Sequence, residues 1–155
     1  IDLILGIPGQ TEEQWKNTLA TAYSLKPEHI SAYSLSLDEG SQWHRDTKDG
    51  RGESPDDDTC ANMYGTAIEF LRSRGYHQYE ISNFCLPAYE CRHNVNYWDR
   101  GEYLGLGPGA WSFIGNERWA NIADVGQYVS RLRSGITVQD QSRYGSVNGE
   151  QAALE

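Results

Sequence analysis

The chain is poor in cysteine, in basic residues and in unbroken apolar sequence. Its three cysteines among 155 residues are an odd number without disulfide-like spacing, which argues against a stapled secreted domain. Thirteen lysines and arginines against 22 aspartates and glutamates leave a net charge of −9 with no basic stripe, so a nucleic-acid phosphate surface would be repelled. No apolar run is long enough to span a bilayer and no signal peptide is legible, so a reducing cytoplasm is the expected setting. A P-loop is excluded, because no glycine segment ends in Gly-Lys-Ser/Thr. The chain opens without methionine in the apolar run Ile1 to Leu5 and stops at Gly149 to Glu155, which reads as the first turns of an amphipathic helix. An internal fragment is the expectation.

What is present alternates between strand and helix signals. Ile1 to Leu5 reads as a buried parallel strand, ended by Gly6-Ile7-Pro8-Gly9. Thr11 and Gln14 form a capping-box pair for a helix with Trp15, Leu19, Ala22 and Tyr23 on one face, closed by Pro27. His29 to Leu37 is the next strand, and the polar stretch from Asp38 to Glu53 reads as a long loop. A second helix is expected to start with Ser54 as cap, Pro55 in the first position and the acidic Asp56-Asp57-Asp58, and to end near Arg72, Arg74 and Gly75. Strands are expected near Gln78 to Ser82, Glu102 to Leu106 and Arg118 to Asn121. A last helix runs from Asp124 to Ser134, with Asp124 and Gln127 as capping box and Gly135 as stop. This order predicts an α/β fold.

Several residues sit oddly in those elements. Asp2 shares a strand face with Ile4, and an ionisable group in an apolar parallel strand needs either a salt-bridge partner or a ligand. In the next strand Tyr33, Leu35 and Leu37 point one way and Ala32, Ser34 and Ser36 the other; this small face packs on a helix or leaves room for a ligand. Gly105-Leu106-Gly107-Pro108-Gly109 is a turn by default, or a place where backbone approaches a ligand. Cys85, Cys91 and His93 lack paired zinc-knuckle spacing, and three thiolates are too few for an ordinary iron–sulfur cluster. The cysteines read as small, partly buried residues, and His29, His44 and His77 as locally satisfied or solvated. His93 is either a loop anchor or an imidazole ligand for haem iron, with Asn94 or a backbone carbonyl orienting the ring and Tyr97 and Trp98 covering a porphyrin face.

Three blocks, Ile1 to Thr11 (IDLILGIPGQT), Tyr79 to Trp98 with its Tyr-Glu-Ile-Ser-Asn-Phe and His-Asn-x-x-Tyr-Trp segments, and Tyr103 to Trp111 (YLGLGPGAW), carry a resemblance. In this order they resemble the coproporphyrinogen III oxidase-like branch of the radical S-adenosylmethionine (SAM) enzymes, particularly the HemW-type haem chaperones. The resemblance implies the C-terminal part of a partial (β/α)6 barrel with a strand extension over residues 1–122, and a helix and linker into a C-terminal domain over 123–155. It implies that Asp2, Ser36 and Trp111 line SAM, that His93, Asn94, Tyr97 and Trp98 bind haem or another tetrapyrrole, and that His93 ligates haem iron. Glu80, Ser82 and Asn83 match a family signature without assigned roles.

The Cys-x-x-x-Cys-x-x-Cys loop that holds the family's [4Fe–4S] cluster is not in this sequence, and by the family pattern it lies upstream. Alone, the chain is expected to be catalytically incompetent, with an open barrel edge that favours association. The implied function is a haem chaperone that binds haem, SAM and a [4Fe–4S] cluster and passes haem to acceptor proteins, membrane-associated ones included. The alternative is an oxygen-independent coproporphyrinogen III oxidase that decarboxylates propionate side chains. A third reading is an interaction module without cofactor, in which Asp2 is salt-bridged and the glycines are turns.

Overall fold

In the computed structural model, residues 1–53 and 56–146 are described. Ser54 and Pro55, expected to open a helix, and the expected helix at Gly149 to Glu155 lie outside them. The chain divides into two compact units, the first spanning Ile1–Cys91 and the second beginning at Arg92.

The first unit starts with a parallel crossover. β1 (Asp2–Leu5) leads through α1 (Glu12–Ser24) to β2 (His29–Ser34), and the two strands pair in parallel with Asp2 opposite Ser31 and Leu5 opposite Ser34. Thr11 and Gln14 close the capping box reciprocally, at 3.2 and 2.9 Å. The stretch expected to be one loop holds a short helix, α2 (Gln42–Lys48), capped by the Ser41 hydroxyl. Ser41 is the start signal that the polar composition masks. α3 (Asp57–Arg72) is capped by Asp56, whose carboxylate accepts from the Thr59 N–H at 2.7 Å; hydrogen bonding from the Thr59 side chain and then from its N–H holds the Asp56 pKa below the usual range.

The strand expected from Gln78 to Ser82 is instead a reversal between β3 (His77–Gln78) and β4 (Asn83–Cys85). Its cause is local. The Glu80 carboxylate accepts from the Ser82 N–H and from the Asn83 side chain, folding the chain back two residues after β3. The sheet order is β1-β2-β4-β3, with β4 antiparallel to both neighbours. Leu5, Ile30, Ala32 and Phe84 face α1 and α3, where Trp15, Leu19, Met63, Ala67 and Leu71 complete a core of fully buried side chains. The Trp15 indole, buried at 0% exposure, donates to the Met63 carbonyl at 2.8 Å, so its one polar atom is satisfied. On β2 the core stripe is therefore Ile30 and Ala32, so the small face packs on the helices at Ala32, as one of the two expectations had it, while Tyr33 is 42% exposed on the opposite face.

The second unit opens with α4 (Arg92–Trp98), which no sequence signal announced, followed by the antiparallel sheet β5 (Trp111–Ile114), β6 (Glu117–Asn121) and β7 (Gln139–Ser146). α5 (Val125–Arg133) precedes β7, capped by Asp124 through the Gln127 N–H at 2.7 Å. The strand expected at Glu102 to Leu106 reduces to one bridge between Tyr103 and Phe113. Beyond it Gly105 lies so close to β5 that a Cβ there would stand 2.1 Å from the Trp111 carbonyl oxygen. Among the described residues no helix is long and apolar enough to cross a membrane.

Candidate functional site

The His-Asn-x-x-Tyr-Trp segment becomes intelligible once it is helical. Residues four apart stack on one face of an α-helix, whereas adjacent residues point about 100° apart. On α4 the motif is therefore two i,i+4 pairs on neighbouring stripes, His93 with Tyr97 and Asn94 with Trp98. The His93 and Tyr97 rings meet edge-on, centroids 4.8 Å apart at 84°, and Tyr97 packs against Tyr103 at 4.3 Å. Tyr103 then reaches Phe113 on β5. Each member braces the next, while His93 is exposed and Tyr97 and Trp98 keep 41% and 49% of their surface. The ring contact of His93 is with Tyr97, whereas Asn94 lies on the neighbouring stripe. An accessible imidazole beside two exposed aromatic rings fits an axial donor and a flat apolar ligand.

The glycine segment after Tyr103 is committed to its own fold. The Gly105 N–H donates to Ser112 Oγ at 2.9 Å, the Gly107 N–H to the Tyr128 hydroxyl at 3.1 Å, and the Gly109 N–H to the Ile122 carbonyl at 3.1 Å. The buried Asn121 side chain donates back to the Gly105 and Gly107 carbonyls. Such a segment is a turn rather than an anion cradle, because its amides are already engaged. It leaves Leu104 and Leu106 63% and 83% exposed. Trp111 is half-buried, with the guanidinium carbons of Arg118 and Arg143 each 4.7 Å from its ring.

In the first unit, Asp2 lies on the sheet face opposite the helices and is exposed with Ile4; no ion pair to it forms among the described residues, so the salt-bridge alternative fails there. Register places it beside two residues that sequence reading passed over or left unassigned. Asp2 pairs with Ser31, and Ser31 with Asn83, in one row across three strands. The Ser31 hydroxyl donates to Asn83 Oδ1 at 3.0 Å, and Asn83 Nδ2 donates to Glu80 Oε1 at 2.9 Å. Ser31 and Asn83 are 3% and 2% exposed, so this chain is a buried polar device with each member satisfied. Ser36 is not part of it. It lies past the end of β2, five residues beyond the register position of Asp2, or roughly 16 Å at a strand rise of about 3.3 Å per residue.

Another polar contact of the first unit centres on Tyr79. Its hydroxyl lies 2.6 Å from His29 Nε2 and accepts from the Cys91 N–H at 3.2 Å. Burial raises the Tyr79 pKa and is the main cause lowering that of His29. Cys60, Cys85 and Cys91 are free thiols and do not converge on one point, so no cluster-ligand set exists among the described residues.

No model of a known family matches the chain. The heme chaperone HemW of Mycobacterium tuberculosis is 38% identical over 132 residues, 85% of this chain and 34% of that protein. HemW of Lactococcus lactis is 38% identical over 129 residues, 83% of this chain and 34% of its own. Mouse radical S-adenosyl methionine domain-containing protein 1, mitochondrial, is 39% identical over 110 residues, 71% of this chain and 25% of its own. Coproporphyrinogen III oxidase (HemN) from Escherichia coli, described as a radical SAM enzyme, superposes with a TM-score of 0.74 at 21% identity, over 96% of this chain and 36% of that one.

The chain belongs to the coproporphyrinogen III oxidase-like family of radical SAM proteins. It spans about a third of the length of the HemW relatives it matches. Its mixed α/β architecture is the fold of the corresponding part of this family's solved oxidase.

Proposed function

We propose that this chain is the tetrapyrrole-facing part of a haem chaperone, which binds haem, SAM and a [4Fe–4S] cluster and delivers haem to acceptor proteins. The observation that carries the reading is the pair of stripes on α4, with an exposed imidazole at His93 beside exposed Tyr97 and Trp98, in a chain 38% identical to proteins named heme chaperones. In this reading His93 would supply the imidazole donor that holds haem iron. Tyr97 fixes the plane of its ring by the edge contact, Trp98 covers a porphyrin face and Asn94 offers an amide at the rim. The exposed Leu104 and Leu106 add apolar surface of the kind a porphyrin buries.

Asp2 would hold SAM, supported by its exposure on the open face; Ser36 and Trp111 are weaker members, the first for its distance along the strand and the second because two arginines engage its ring. The cluster, when bound through thiolates of a preceding segment, would supply an open iron for SAM. Residues 1–122 would be the C-terminal part of a partial (β/α)6 barrel with its strand extension, and 123–155 the lead into a C-terminal domain. An observation supporting continuation of the barrel is that β1 is an edge strand beside an apolar groove of about 390 Å³ lined by Ile1, Leu3, Ala22 and Leu25, where a further β/α layer would pack. The proposed setting is the cytoplasm, with membrane-associated haem proteins among the acceptors.

A second reading is oxidative decarboxylation of coproporphyrinogen III, for which a tetrapyrrole surface is equally suited; the likeness to HemN is one of fold. Anaerobic incubation of the cluster-loaded full protein with SAM and coproporphyrinogen III separates the two. The chaperone reading expects no carbon dioxide release, together with stoichiometric haem binding and transfer to an apo-protein acceptor. Turnover of coproporphyrinogen III without haem transfer would establish the oxidase.

A further inference from the structure

One cluster of ligand-type side chains is used by none of the family motifs. Antiparallel pairing of β3 and β4 sets His77 directly opposite Cys85, on the sheet face away from α1 and α3, and the residues after β4 bring Glu90 back over the pair. His77 Nε2 lies 2.9 Å from Glu90 Oε1 and 3.5 Å from Cys85 Sγ, and one donor atom from each of the three lies within 4.8 Å of the other two. The sulfur is at the buried end; the His77 and Glu90 side chains are 43% and 40% exposed, which leaves an entry path. His29, on the other side of Cys85, turns its Nε2 to the Tyr79 hydroxyl instead.

We propose that His77, Cys85 and Glu90 form a binding site for a zinc-class divalent ion, with three protein donors and a fourth position open to water. Imidazole nitrogen, thiolate sulfur and carboxylate oxygen are a borderline donor set that suits zinc. Bonds of about 2.0–2.3 Å in tetrahedral geometry separate donors by roughly 3.3–3.8 Å. The sulfur–nitrogen distance already falls in that range. The nitrogen–oxygen distance needs to open by about half an ångström, which two exposed side chains allow without backbone movement. On binding, the Cys85 thiol gives its proton to solvent as the sulfur–metal bond forms. The Nε2 proton that His77 shares with the Glu90 carboxylate is exchanged through solvent for one on Nδ1, so that the imidazole keeps its one proton there, both partners then bond the ion, and nothing is oxidised or reduced. The ion would tie the two-residue edge strand β3 to the segment that leads into α4.

The test uses cobalt(II), whose thiolate ligation gives a charge-transfer absorption, titrated into the full protein with its iron–sulfur cluster loaded and loosely held metal dialysed away, and into equally loaded variants with unchanged circular dichroism. The expected result is one equivalent whose thiolate–cobalt band is displaced by zinc and abolished by Cys85→Ser. The same equivalent should be weakened about 10-fold or more by His77→Ala and by Glu90→Gln, and be untouched by Cys91→Ser. A cobalt band of equal intensity in wild type and Cys85→Ser, or affinity indifferent to both His77→Ala and Glu90→Gln, overturns the proposal. Haem binding plays no part in either outcome, so the fate of the chaperone reading does not decide this one.

Discussion

Replacing Gly6 with alanine should expose a clash that a second substitution relieves. Gly6 has φ +76°, and a Cβ built there stands 2.3 Å from Cys60 Sγ on α3 but 3.8 Å from Cys60 Cβ. Left-handed backbone costs a non-glycine residue about 1–2 kcal/mol, and forcing a methyl against a packed sulfur about 1–3 kcal/mol more. Gly6→Ala should therefore lose about 2–5 kcal/mol. Cys60→Ala alone, removing one half-buried sulfur, should lose about 1 kcal/mol. In the double variant only the backbone strain and the lost sulfur remain, so the pair should couple favourably by about 1–3 kcal/mol. Urea denaturation of the four proteins, followed by far-ultraviolet circular dichroism, completes the cycle. Additivity within about 0.5 kcal/mol would mean that Cys60 does not limit Gly6, and would refute the packing argument.

Other consequences are as direct. Thr11→Ala removes the reciprocal cap of α1 and should lower stability by about 1 kcal/mol in the same denaturation assay, with Thr11→Ser largely restoring it. Asn83→Ala leaves the buried Ser31 hydroxyl without its partner and removes one of the two donors to the Glu80 carboxylate, and should cost about 1–3 kcal/mol, whereas Ser31→Ala should cost less. Tyr76 is buried and donates its hydroxyl to the Pro27 carbonyl, and burial raises its pKa above 10.0. The neutral phenol is thus favoured by folding: its contribution is complete below the unfolded pKa of about 10 and is lost as pH climbs through the higher folded value. Stability measured from pH 8 to 11 should fall at the alkaline end, less steeply in Tyr76→Phe, which should in turn be weaker by about 1 kcal/mol near neutrality.

The elements with strong local punctuation were legible in the sequence. The Thr11 and Gln14 box, the acidic start and Gly75 stop of α3, and the Asp124 cap of α5 all act through backbone groups a few residues away, so local sequence suffices to find them. What escaped depends on neighbours distant in sequence or hidden in polar composition. α4 lacks an amphipathic core face, since none of its residues is buried, so no apolar periodicity marks it in the sequence. The Ser31–Asn83 bond and the His77–Cys85 contact follow from strand register, which a sequence cannot supply when the turn between strands is set by one glutamate bond. Asp2 was recognised as unusual, but its environment was misjudged: β1 is covered on one face only, so Asp2 is exposed rather than buried among apolar side chains. His93, Tyr97 and Trp98 were found by resemblance, and their helical spacing supplies the physical reason for the motif.

The proposed haem-chaperone function depends on His93 as the donor to haem iron. The decisive measurement is the electronic spectrum and affinity of the haem-loaded full protein, taken for wild type, for His93→Gly, and for His93→Gly supplied with free imidazole. The account predicts that the porphyrin band of wild type shifts and binding weakens in His93→Gly, and that imidazole restores the wild-type spectrum. An unchanged spectrum with unchanged affinity in His93→Gly would contradict it and return His93 to the role of a ring braced by Tyr97 on α4.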